Sequence, residues 1–67
     1  MTQYRFWQVY SDPTPYSTPT QVNIEAERYQ EAIERFCRAY DFELEDIERD
    51  HVWVDSKGSS IEYYVDW

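Results

Sequence analysis

Glycine is almost missing from this chain. Gly58 stands alone in 67 residues, and a single glycine cannot build the glycine-rich loop that cradles a phosphate. Cysteine is equally scarce. Cys37 has no partner for an internal disulfide, and a lone thiol fits a reducing compartment. One Cys and one His, His51, are too few for a structural zinc site, which takes four ligands. No apolar run approaches the roughly 18 residues that suggest a membrane span. No basic-then-apolar N-terminus marks a signal peptide. These absences together predict a cytoplasmic protein without a metal or other cofactor.

Positive charge is the other deficit. Six Lys and Arg face fourteen Asp and Glu, for a net charge of −8. Affinity for a phosphate backbone comes from Lys and Arg, so direct nucleic-acid binding is not expected. Anionic membranes are disfavoured for the same reason. A Lys- and Arg-rich protein surface is the natural partner, although charge of this size also serves simply to keep a small domain soluble.

The excess is unevenly placed. Residues 1–40 carry five acids and four bases, net −1, whereas residues 41–67 carry nine acids and two bases, net −7. Asp41, Glu43, Glu45, Asp46, Glu48 and Asp50 fall within ten residues, and Asp55, Glu62 and Asp66 follow.

What the chain has in abundance is aromatic area: three Trp, seven Tyr and three Phe. A domain this short buries only about 60% of the surface its unfolded chain exposes. Side chains that each bury roughly 150–250 Å² compensate for that.

Residues 4–10 are aromatic and β-prone and read as a strand with large groups on both faces. Residues 11–20, with Pro13, Pro15 and Pro19, read as a loop, either a strap over the core or a contact loop. Residues 21–27 alternate, with Val22, Ile24 and Ala26 on one side, as a half-buried strand does. A helix starting near Pro19 is the rival reading, since Thr18–Gln21 resembles a capping box. Val-Asn-Ile is poor helix material, which favours the strand.

Tyr29, Ala32, Ile33, Phe36, Cys37 and Tyr40 follow helical spacing and predict an amphipathic helix over 28–40. Residues 41–50 read as an acidic connector with a short helical turn around 45–48, tucking Phe42, Leu44 and Ile47 into the core. Residues 51–55 and 61–67 alternate around a turn at 56–60, where Gly58 supplies a positive φ, and predict a hairpin. The order β-β-α-β-β implies an α+β fold: one domain over 1–67, an antiparallel sheet with one helix packed across one face. The other face would be open and would show Trp53, Tyr64, Asn23 and several carboxylates.

Catalytic chemistry finds little support. His51 has no nucleophile suggested beside it, and Cys37 lies on the apolar helix stripe, as a small hydrophobe does. Paired carboxylates such as Glu45 and Asp46 need a defined cleft to act on a substrate, and a domain this short has little room for one of about 300 Å³ or more. No enzyme activity is expected. Aromatic side chains beside acids suit a recognition surface instead, because they bury large area at low entropy cost.

Small size, an acidic segment from Asp41 to Asp66, abundant Tyr and Trp, and no catalytic motif give the whole chain a resemblance of type to the small acidic inhibitors encoded by phages and mobile elements. Anti-CRISPR and anti-restriction proteins of the DNA-mimic kind are the examples. No signature residue carries over between such proteins. The resemblance implies occupation of a basic nucleic-acid site on a host defence complex, by a monomer or weak homodimer in the bacterial cytoplasm. The residues expected to engage that partner are Asp41, Glu43, Glu45, Asp46, Glu48, Asp50, Trp53, Asp55, Glu62, Tyr64 and Asp66. The competing expectation is an adaptor that docks or self-associates through an aromatic sheet face, with weak salt dependence.

Overall fold

The computed structural model describes residues 1–13 and 18–67. Its elements are β1 (Thr2–Ser11), β2 (Gln21–Ala26), α1 (Tyr29–Tyr40), β3 (Glu43–Glu48), β4 (His51–Ser56) and β5 (Ser59–Asp66). The strands form one antiparallel sheet in the order β2-β1-β5-β4-β3, with α1 packed on one face. The fold is α+β, as expected, and it has one strand more than the sequence suggested.

Alternation decides which face each strand buries. Tyr4 and Phe6 of β1, Val22 and Ala26 of β2, Val52 and Val54 of β4, and Ile61, Tyr63 and Val65 of β5 all point to the helix. The helical stripe answers them with Ala32, Ile33, Phe36 and Cys37. Phe36 is the hub: its ring stacks on Phe6 at 4.2 Å and meets Tyr63 and Phe42 edge-on at 4.8 and 5.5 Å. The segment 21–26 is thus a strand, and the helix begins only at Tyr29.

α1 stops because Asp41 turns left-handed, with φ 57°. The Phe42 N–H then closes on the Cys37 carbonyl at 2.9 Å, and the Phe42 ring folds back onto Phe36 and Tyr40. This six-to-one bond with its apolar contact is a Schellman ending.

The acidic segment corrects the sequence reading. Residues 43–48 form an edge strand, not a connector with a helical turn. A β-bulge explains the error. Leu44 pairs with Val54 and Ile47 with Val52, and the register shifts at Glu45 between them. The inserted residue lets side chains three apart share one face of a strand, which mimics helical spacing. Phe42 is buried as expected, but Leu44 and Ile47 remain 46% and 39% exposed.

Two tight turns close the β3–β4–β5 meander. Lys57 and Gly58 both have positive φ between the paired Ser56 and Ser59, as a type I′ turn requires. Arg49 also has positive φ in the turn between Glu48 and His51. The described parts of the 11–20 loop are tied to the sheet. Tyr63 Oη donates to the Pro19 carbonyl at 2.8 Å, and Ser59 Oγ to the Pro13 carbonyl at 2.9 Å. That agrees with a strap. Pro15 and its neighbours over 14–17 lie outside the described residues.

Candidate functional site

The sheet face opposite α1 is open, and the strand registers assign its side chains. One cross-strand row runs Gln21, Trp7, Tyr64, His51 and Glu48 from β2 to β3. A second runs Tyr10, Glu62, Trp53 and Asp46, and a third Ser60, Asp55 and Glu43. Arg5 and Asp66 pair beside them. The face is therefore graded. Its β1 side is aromatic, with Trp7 and Tyr10 41% and 58% exposed, and its β3 side is acidic.

The β1 bulge at Val9 brings Tyr10 onto the same face as Trp7, although the two are three residues apart. The β3 bulge acts similarly on the acids. Glu45 reaches across the face to accept a hydrogen bond from Ser60 Oγ at 2.9 Å, while Asp46 stands in register with Trp53. Among the sequence-predicted residues, Glu43, Glu45, Asp46, Glu48, Trp53, Asp55, Glu62, Tyr64 and Asp66 meet on this face. Asn23 joins them from β2, opposite Arg5.

Asp41 stands elsewhere, and Asp50 lies at the margin of the face. Asp41 is occupied as the helix cap. Asp50 sits in the β3–β4 turn, where its carbonyl accepts the Val65 N–H at 2.7 Å.

Near the centre, His51 Nδ1 lies 2.8 Å from Glu62 Oε2, and Nε2 lies 3.7 Å from Asp50 Oδ1. The imidazole ring also adjoins Trp53 at 6.1 Å and Tyr64 at 5.7 Å. Glu48, Arg49, Asp50, His51, Trp53 and Glu62 border a shallow depression of about 450 Å³, more room than the chain length suggested. Arg5 is held by Asp66 at 3.2 Å, and Arg49 borders the depression from the β3–β4 turn. Elsewhere, burial raises the Cys37 thiol pKa, which keeps the thiol protonated. Among the described residues no group of three or more His, Cys, Asp or Glu is arranged to hold a metal ion, and no helix is long and apolar enough to cross a membrane.

Trp7 and Tyr10 belong to the surface but were not among its predicted members. The alternation of 4–10 separates Trp7 from Phe6, yet both sides are aromatic, so it does not say which is covered. Neither a family model, nor a characterised protein, nor a solved structure matches this chain.

Proposed function

We propose that the protein is a binding module whose acidic sheet face occupies a Lys- and Arg-rich nucleic-acid groove on a host defence complex in the bacterial cytoplasm, as a DNA mimic. The supporting observation is convergence. Seven carboxylates, those of Glu43, Glu45, Asp46, Glu48, Asp55, Glu62 and Asp66, share one open face with two cations among the described residues, the ion-paired Arg5 and, at the margin, Arg49. The span from Glu43 to Glu48 is about 16 Å at roughly 3.3 Å per residue, and neighbouring strands add about 4.8 Å each. Duplex DNA carries about nine phosphates over the same axial length. Six of the carboxylates fall within that span, with Asp66 beyond it, so the two charge densities agree within a factor of about two and a groove built for phosphates meets a similar field. Trp53 and Tyr64, set among the acids, supply the anchoring apolar area.

The test is capture from bacterial lysate on the immobilised protein, followed by elution with duplex DNA. The expected result is a basic nucleic-acid-handling complex that DNA releases. The variant carrying Glu43→Gln, Glu45→Gln and Glu48→Gln, all exposed positions, should fold and lose the capture. A variant that folds and captures the same complex equally well would refute the proposal.

A second reading has its own observation. Trp7 and Tyr64 are cross-strand neighbours, both exposed, with Tyr10 close by. An adaptor docking through this aromatic side would bind with little salt dependence and would be disabled by Trp7→Ala rather than by the triple acid variant.

A further inference from the structure

The outer edge of β3 is unlike the rest of the acidic surface, because it offers backbone as well as charge. β3 ends the sheet, and among the described residues no strand pairs with its outer side. Alternate residues of an edge strand aim their N–H and C=O groups outward. Ile47 is one of them: its N–H donates to the carboxylate of its own neighbour, Asp46 Oδ1, at 2.8 Å.

The side chains of this edge sort by face. Leu44 and Ile47 lie on the helix side, opposite the fully buried Val54 and Val52. They are themselves only half covered. Glu43, Asp46 and Glu48 lie on the open side. An added strand would therefore meet apolar side chains on one face and acids on the other.

We propose that the β3 edge is a strand-addition site for an extended protein segment in which Lys or Arg alternates with apolar residues. The proposal rests on the reading of the partner as basic, and it adds the conformation of the segment that docks. β4 already shows much of the complementary pattern on the inner side of β3: Val52 and Val54 face Ile47 and Leu44, and His51 and Trp53 face Glu48 and Asp46, with Asp55 opposite Glu43 as the exception. A basic strand on the outer side would repeat that arrangement, with its cations opposite Glu43, Asp46 and Glu48. A cation taking the Asp46 carboxylate would also free the Ile47 N–H for a ladder bond.

Charge selects the occupant. A second copy of β3 would bring carboxylates face to face, and like charges opposite one another destabilise a strand pair. The edge is thus closed to itself and open to a strand of opposite charge, whose main-chain bonds supply affinity and whose alternate side chains supply register.

The test uses two end-blocked peptides of identical composition and charge, Arg-Val-Arg-Val-Arg-Val-Arg and Arg-Arg-Arg-Arg-Val-Val-Val, titrated into the isotope-labelled protein. The alternating peptide should bind about tenfold tighter. The Leu44 and Ile47 amides should shift and become protected from exchange. Ile47→Asp separates charge from pairing. It adds a negative charge, so pure electrostatics predicts tighter binding, whereas strand addition predicts loss of the preference for the alternating peptide. Leu44→Ser should lose it too. Equal binding of both peptides would overturn strand addition while leaving the acidic-face reading intact. Binding of neither at millimolar concentration, or self-association that protects the Ile47 amide, would also overturn it.

Discussion

Glu43 and Asp55 stand directly opposite one another across β3 and β4, two carboxylates on the same open face. At roughly 5.5–8 Å in water their repulsion is about 0.5–0.8 kcal/mol. Asp55 has compensation, since its Oδ2 accepts the Gly58 N–H at 3.1 Å in the turn. Glu43 is therefore the cleaner position to change. Glu43→Gln keeps the size of the side chain and removes the charge, so it should stabilise the fold by about 0.5–0.8 kcal/mol at low salt. Glu43→Lys replaces repulsion with attraction and should gain about 1–1.5 kcal/mol. Urea unfolding at about 10 mM and about 0.5 M salt reads both, because the Debye length falls from about 30 Å to about 4 Å between those conditions. The gains should shrink to near zero at high salt. If Glu43→Gln is no more stable than the parent at low salt, or if its gain survives high salt, the face is not the dense anionic surface proposed.

Phe36→Ala removes the ring on which Phe6, Phe42 and Tyr63 pack, at a cost of about 3–5 kcal/mol. Domains of this size hold only about 3–10 kcal/mol, so urea unfolding followed by circular dichroism should show the variant losing a third or more of its stability. Asp41→Gly relieves a left-handed non-glycine residue at the helix end and should stabilise by about 0.5–1 kcal/mol. Thermal unfolding checks this gain, and partner binding should not change, since Asp41 lies off the open face. Burial pushes the Tyr63 phenol up to about 12. The folded state then holds this proton more tightly than the unfolded chain does. The resulting stability, about 3 kcal/mol at most, is complete below pH 10 and is lost as pH rises towards 12. Urea unfolding in that window should show the decline, and Tyr63→Phe should flatten it despite losing the hydrogen bond to Pro19.

The parts of the fold that could be read from the sequence are those with one clean period. The stripe from Tyr29 to Tyr40 and the alternation of residues 21–27, 51–55 and 61–67 each bury one side, and the residues themselves say which, although the strands take in Ser56, Ser59 and Ser60, which read as turn. β3 was hidden for a physical reason. Its bulge breaks the period of two, and its edge position leaves every residue exposed, so no burial contrast marks it. The surface was legible in part. Acids and aromatics were visible in the chain, but their convergence depends on pairings between strands distant in sequence, such as Trp7 with Tyr64. Asp41 shows the converse, because a sequence neighbour of the acidic strand is carried off its face by the helix cap.

Occupation of a nucleic-acid groove can be read by competition on the captured partner. A fluorescent duplex is bound to that partner, and this protein is titrated in while the anisotropy of the DNA is followed. A DNA mimic should displace the duplex, with displacement weakened steeply by added salt and lost with the Glu43→Gln, Glu45→Gln and Glu48→Gln variant. A ternary complex, in which the partner holds duplex and protein together, would contradict it.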